Sequence, residues 1–374
     1  MRNTTGRRIA VCDIARSDQP IRNKITKAVR TVIDKGRYIL GQELNVFEKE
    51  FAEYNGSSYA IGVASGTEAL QLSLKALGIG QGDEVITAVN TAIPTAMAIL
   101  AAGARPRFVD VRADTFNIDV ALIEKAITRN TKAILPVHLY GKICDIKAVL
   151  KIAKKYNLFV VEDACQAHGA SCGGMKAGSF GRLGAFSFYP TKNLGCYGDG
   201  GMIVTNNKSL AERLRLLRNY GQNTRYSCKI KGVNSRLDEI QAAILRVKLK
   251  LLDQLNECRI ELAHVYARYL QEIVDVDLPS YGKDLQHVFH LYVIKCKDKD
   301  GLKRYLLKKG IETEVHYPIP LHLQGAFREL GYKRGDFPCA EGLAHKILTL
   351  PMHPALKTQE VRKVCNHIKD FYRC

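Results

Sequence analysis

The chain has no apolar run long enough to cross a membrane as a helix. Its basic start, from Met1 to Arg8, is not followed by an apolar segment, so no secretory leader is expected. The 11 cysteines include no Cys-x-x-Cys pair and no grouping with metal-ligand spacing. That argues against a disulfide framework or a metal site and for the reduced thiols of a cytoplasmic protein. Internal repeats and low-complexity tracts are also missing. Acidic residues are in short supply, with 37 Asp and Glu against 56 Lys and Arg, a formal net charge of +19. Such a balance can signal nucleic acid. Here, however, the cations fall at helical spacing, as at Lys147, Lys151, Lys154 and Lys155, or Lys303, Arg304, Lys308 and Lys309. This is the pattern of a solvated helix face, and no arginine-rich arm with interleaved aromatics accompanies it. Neither nucleic acid nor a membrane is expected as a partner; the charge can steer an anionic substrate toward a cleft.

What is present suits a two-domain enzyme. At 374 residues the chain can bury a sizeable core. Residues 1–20 read as an extended N-terminal arm, 21–250 as a large domain and 251–374 as a smaller C-terminal one. Within the large domain, apolar periodicity predicts helices over 21–35 and 44–54, the first stopped by Gly36 and the second by Asn55-Gly56. Short strands at 60–64, 84–89, 107–111 and 132–137 alternate with helices over 69–77, 93–102, 120–128 and 146–156. The alternation argues for an α/β fold with a mainly parallel sheet flanked by helices. A helix over 210–220, an irregular loop to Gly232 and one long helix from Val233 past residue 260 follow. The C-terminal part mixes strand (289–294) and helix (302–309) around a proline-rich loop, His316-Tyr317-Pro318-Ile319-Pro320-Leu321-His322.

Two stretches carry chemistry. Leu158-Phe159-Val160-Val161 reads as a buried parallel strand that breaks into Glu162-Asp163-Ala164-Cys165-Gln166-Ala167-His168. Asp163 therefore stands at a strand's carboxyl end, where open α/β sheets bind ligands. Gly184-Ala185-Phe186-Ser187-Phe188 is a second strand, followed by Tyr189-Pro190-Thr191-Lys192. A carboxylate at one strand end and a lysine after the next are what pyridoxal phosphate requires. The lysine joins the aldehyde as a Schiff base, and the carboxylate keeps the pyridine nitrogen protonated. Ser65-Gly66-Thr67-Glu68, between a strand and a helix, forms either an anion site on the helix N-terminus or a plain N-cap. His287 and His290 have a metal-like spacing but no further ligands, so no metal is expected.

Taken with Asn234-Ser235-Arg236-Leu237-Asp238, these segments resemble the DegT/StrS family of nucleotide-sugar aminotransferases, which have the aspartate-aminotransferase fold. The resemblance runs from Gly36-Arg37-Tyr38-Ile39-Leu40-Gly41 to Leu350-Pro351-Met352-His353-Pro354 and is carried by the motifs jointly. It implies that Lys192 binds pyridoxal 5'-phosphate and serves as the base that moves the substrate proton. Asp163 would pair with the ring nitrogen and Gln166 with the ring hydroxyl, while Gly66, Thr67 and Ser187 would hold the phosphate. Asn234 would reach the phosphate from the other subunit of a homodimer. His168, Tyr317, His316, His322 and Arg236 are candidates for the substrate side; His168 is equally readable as a core histidine, and Arg236 is a candidate for the donor carboxylate. Relatives often carry an aromatic residue on the cofactor ring where this chain has Ala92, so either His168 or another side chain covers that face or the ring is less enclosed. The implied reaction takes an amino group from L-glutamate to a dTDP-linked 3-keto-6-deoxyhexose. The alternatives are a UDP-linked 3-keto sugar or uronic acid, or a regulatory or nucleic-acid-binding protein that keeps the fold without the chemistry.

Overall fold

The computed structural model describes residues 8–280 and 285–373. Seven short strands build the main sheet: β1 (Tyr59–Val63), β2 (Glu84–Ala88), β3 (Arg105–Val109), β4 (Thr131–Leu135), β5 (Phe159–Asp163), β6 (Leu183–Ser187) and β7 (Gly201–Thr205). Their order across the sheet is β3-β2-β4-β5-β6-β7-β1. Only β7 runs against its neighbours, β6 and β1; every other pairing is parallel. The sheet is thus mainly parallel, as its alternating pattern requires. Helices cover both faces, which is why Val160-Val161 of β5 and Met202-Ile203-Val204 of β7 are apolar in succession and both strands are buried almost throughout.

The helices of this part are α1 (Arg22–Lys35), α2 (Gln42–Asn55), α3 (Gly66–Ala76), α4 (Ile93–Ala102), α5 (Val120–Ala126), α6 (Ile146–Lys155), α7 (Lys208–Leu217) and α8 (Glu239–Leu249). Gly36 and Gly56, both left-handed, end α1 and α2 with their N–H groups on the last-turn carbonyls. The start of α2 is capped from far away. The Glu239 carboxylate accepts from the N–H groups of Gly41, Glu43 and Leu44 at 2.8, 2.9 and 3.0 Å. This fixes the 36–41 loop against α8.

Three expectations are corrected here. The long helix predicted from Val233 is two helices. Residues 233–238 run extended, with Ser235 Oγ donating to Glu68 and accepting from Ala64 N. The chain then breaks again between α8 and α9 (Leu252–Leu270). The stripe that looked continuous serves two cores: Ile240, Ile244, Val247 and Leu251 pack on Ile21, Ile25 and Val29 of the N-terminal segment and α1. Leu262, Tyr266 and Leu270 instead enter a separate C-terminal core. Second, the loop ahead of Gly232 contains a two-stranded ribbon, Gln222–Thr224 with Ser227–Cys228. Third, the described part of the arm is not simply extended. Ile9 bridges to Ile311, Met352 N donates to Val11 O, and Ile14–Asp18 form a helical turn capped by Asp13.

The C-terminal core lies between α9, a small antiparallel sheet of β8 (Val276–Asp277), β9 (Tyr292–Cys296) and β10 (Ile347–Leu350), and the helices α10 (Lys299–Lys308) and α12 (Thr358–Arg373). The intervening stretch 321–344 packs elsewhere. Phe327, Tyr332 and Phe337 surround Phe108 of β3 with ring centroids 5.6–6.4 Å apart. Asp110 accepts from the N–H groups of Cys339 and Ala340 at the start of α11 (Pro338–Ala344). The boundary expected at residue 250 therefore does not divide the packing cleanly, because this stretch returns to the large core.

Candidate active site

The carboxyl ends of β2, β4, β5 and β6 and the start of α3 meet at one place. Asp163 closes β5, and its buried carboxylate is held from two sides. Oδ1 accepts from Cys165 N at 3.1 Å, and Oδ2 accepts from the Thr95 hydroxyl at 2.8 Å. Thr95 sits in the first turn of α4 and lies 3.1 Å from the Thr91 hydroxyl. Each carboxylate oxygen has a second lone pair, so room remains for one more donor. The neighbouring acid points the other way, as alternation along a strand demands. Glu162 takes the N–H groups of Gly178, Phe180 and Gly181 at 2.6–2.8 Å and lies 2.8 Å from His138 Nε2. Cys144 N donates to His138 Nδ1, so Nε2 carries the imidazole hydrogen and Glu162 is fully engaged as a structural group.

Lys192 follows β6 on a loop whose backbone turns back, Lys192 N donating to Tyr189 O at 2.9 Å. Burial pushes its ammonium below the usual lysine range, while Cys165 and Asp163 act in the opposite direction. Ser187, at the end of β6, faces the start of α3. A Cβ on Gly66 would stand 2.6 Å from Ser187 Cβ and 2.9 Å from Cys165 Sγ. Only glycine allows these three elements to close up. Ser65 caps α3 by accepting from Glu68 N at 3.2 Å, so the plain-cap reading holds for Ser65. The N–H groups of Gly66 and Thr67 are those of a first helical turn and have no earlier carbonyl within the helix. They are free to meet an anion, which is the second reading of the same turn.

Gln166 bridges two tyrosines. Its Oε1 accepts from Tyr140 N at 2.8 Å and its Nε2 donates to Tyr317 Oη at 3.1 Å. Burial raises Tyr317 to about 12, so its hydroxyl keeps its hydrogen at neutral pH. Tyr140 Oη donates to the His316 carbonyl and ties the 316–317 loop to the sheet.

Lys192, Asp163, Gln166, Ser187, Gly66, Thr67 and Tyr317 are therefore gathered in one region. The other expected residues stand as follows. His168 is 1% exposed and stands beside Phe186 and Phe188, with ring centroids 5.3 and 5.9 Å away. Phe186 and Phe188 point to the same face of the strand, so His168 packs on their side, yet it is near enough to Lys192 to feel that residue's charge. His322 lines no cleft: its side chain is fully buried, T-stacked on Phe337 and 3.0 Å from Glu341. Arg236 donates to Asn219 Oδ1 at 3.2 Å and lies over Tyr220. Asn234 is exposed on the extended segment ahead of α8. Thr95 and Tyr140 were missed, since a helical threonine and a loop tyrosine carry no signal until a fold brings them to Asp163 and Gln166.

These residues fit pyridoxal phosphate: an amine of lowered basicity, a carboxylate with a spare lone pair, and an anion cradle at a glycine that nothing larger could replace. No described helix is long and apolar enough to cross a membrane, and no group of three or more metal-ligating side chains occurs among the described residues.

Comparison with known proteins agrees with this geometry. A "Pleiotropic regulatory protein" of Geobacillus stearothermophilus is 45% identical over 98% of this chain and 99% of its own length. The dTDP-3-amino-3,6-dideoxy-alpha-D-galactopyranose transaminase of Aneurinibacillus thermoaerophilus is 45% identical over 97% of this chain and 99% of its own. Among solved structures, S. venezuelae DesV in complex with a ketimine intermediate superposes with a TM-score of 0.97 at 44% identity. That match covers 99% of this chain and 100% of DesV. The pattern of one family matches residues 19–369. The chain belongs to the DegT/DnrJ/EryC1/StrS aminotransferase family.

Proposed function

We propose that this protein is a pyridoxal-phosphate aminotransferase that moves an amino group from L-glutamate to the keto carbon of a dTDP-linked 3-keto-6-deoxyhexose. The observation that carries the reading is the convergence of Lys192, Asp163 and the Gly66 turn at one end of the sheet. When bound, the cofactor supplies an aldehyde for the amine and a ring that draws electrons away from the reacting carbon. Asp163 would give its spare lone pair to the ring nitrogen, and the donations from Thr95 and Cys165 N hold its carboxylate in place. The first N–H groups of α3 and the Ser187 hydroxyl receive the phosphate. Lys192 Nζ, whose basicity burial lowers, would be the base that takes the substrate proton and returns it at the 1,3-related carbon. Tyr317, protonated and linked to Gln166, offers a hydroxyl to the sugar side of the cleft. The choice of a 3-keto sugar follows the named activity of the Aneurinibacillus relative.

We also propose a homodimer. Tyr38, Ile39, Ile93 and Tyr189 are large apolar residues on or beside the elements that build the site, and all four are at least 40% exposed. Exposed Asn234 would then serve the phosphate of the neighbouring subunit. Mixing a Lys192→Ala variant with an Asn234→Ala variant tests this directly. Shared sites restore activity in the mixed dimer, whereas self-contained sites leave the mixture as inactive as its parts.

The reaction is tested by incubating purified protein, loaded with cofactor, with L-glutamate and a panel of nucleotide-linked keto sugars. Amination of the dTDP-linked 3-keto sugar supports the full reading. Amination only of a UDP-linked 3-keto sugar keeps the enzyme class and moves the substrate. Absence of any cofactor band, with DNA retained in a gel shift at moderate salt, would favour a regulatory protein instead.

A further inference from the structure

A chain of buried amides runs from the residue after Lys192 into the C-terminal half. Asn193 Nδ2 donates to Asn256 Oδ1 at 2.8 Å and to the Val288 carbonyl at 3.0 Å. Both amide hydrogens are thereby committed, so the amide orientation is fixed and the atom facing His290 Nδ1, 3.3 Å away, is the acceptor Oδ1. His290 must therefore donate from Nδ1. Burial keeps its imidazole neutral, reinforced by the charges of Lys192 and Arg259. Asn256 continues in the same sense, its Nδ2 donating to the His168 carbonyl at 2.9 Å. Asn193, Asn256 and His290 are each less than 10% exposed.

We propose that Asn193, Asn256 and His290 form a one-directional positioning relay for Lys192, which rests on the reading of Lys192 as the reacting amine. Hydrogens run from His290 to Asn193 to Asn256 to the His168 carbonyl, and no member can be reversed without setting two acceptors against each other. The relay spans three parts of the chain: the lysine loop, the second turn of α9 and the segment ahead of β9. It holds the residue next to Lys192 from the side of the C-terminal core and so fixes where the lysine side chain begins. Such polar chains are strong when every member is satisfied and costly when one is not.

The polarity gives a test that a merely space-filling role would not pass. In Asn193→Asp the size is kept, but an ionised carboxylate would face Asn256 Oδ1 and the Val288 carbonyl with no hydrogen to give. Protonated, it regains a donor. The half-reaction of the loaded variant with L-glutamate is expected to be at least tenfold slower than wild type at pH 9 and within a few-fold of it at pH 6. The midpoint of its visible-band titration should move by about a unit or more. The apoprotein's thermal midpoint should rise as pH falls from 9 to 6, relative to wild type. Asn193→Ala, which introduces no acceptor, should lose rate equally at both pH values. A pH-independent defect in Asn193→Asp, or wild-type rates throughout, overturns the relay. A wild type with no visible band would instead overturn the assignment of Lys192.

Discussion

The Thr95 hydroxyl donates to Asp163 Oδ2 across 2.8 Å, joining the first turn of α4 to the carboxyl end of β5. A hydrogen bond to a charged group is worth about 1.5–3 kcal/mol. Thr95→Val keeps the shape and removes the donor. Cofactor affinity, measured by titrating the apoprotein with pyridoxal phosphate, should fall by about ten- to a hundredfold. Unchanged affinity would mean that Cys165 N alone orients the carboxylate.

Gly66→Ala tests the anion cradle. The new Cβ would meet Ser187 Cβ at 2.6 Å, a backbone-borne neighbour that cannot swing aside. The start of α3 must shift, and the phosphate N–H groups shift with it. Phosphate inhibition of cofactor binding should weaken by about tenfold or more, the loss of roughly one charge-assisted hydrogen bond. Circular dichroism should still report the wild-type fold. A variant that binds as well as wild type would move the phosphate site elsewhere.

His168 sets an acid limit on stability. Burial holds its imidazole at about 3, with Lys192 adding to the effect, against about 6.5 in the unfolded chain. Between those values the unfolded chain binds a proton that the folded chain does not, so stability falls as pH drops below about 6.5. His168→Phe, placed beside Phe186 and Phe188, should reduce that slope by about 1.4 kcal/mol per pH unit. Urea unfolding at pH 7, 6 and 5 measures it. Identical slopes would show that His168 takes up its proton over the same pH range in the folded chain as in the unfolded one.

Glu239 carries the start of α2. Glu239→Ala would leave three N–H groups without acceptors and should cost about 2–4 kcal/mol of stability. Glu239→Gln keeps one good acceptor and should cost less than half as much. Equal losses would point to packing, not capping.

Much of this was legible beforehand. Asp163 and Lys192 could be placed because each follows a short apolar run of unmistakable strand length, and α4 has the bounds its periodicity predicts. What stayed hidden depends on distance in the chain. Glu239 caps a helix some 200 residues earlier, and Asn256 reaches Asn193 across a domain's worth of sequence. No local pattern announces such partners. The proline-rich loop gave His322 the look of a cleft residue, because spacing alone cannot tell a side chain turned inward onto Phe337 from one turned outward. The 222–228 ribbon was missed for a different reason: its strands are polar and too short to alternate.

The bridge between Ile9 and Ile311, with Val11 joined to Met352, also orders events during synthesis. At about 5–20 residues per second, roughly 15–60 s separate the two halves of that contact as they leave the ribosome. The seven-stranded sheet has all its strands by Thr205 and can assemble in the meantime. The C-terminal core cannot, because Ile9 is made about 300 residues before Ile311, its partner in that core. During that interval Ile9 and Val11 wait for the partners they meet in the finished fold.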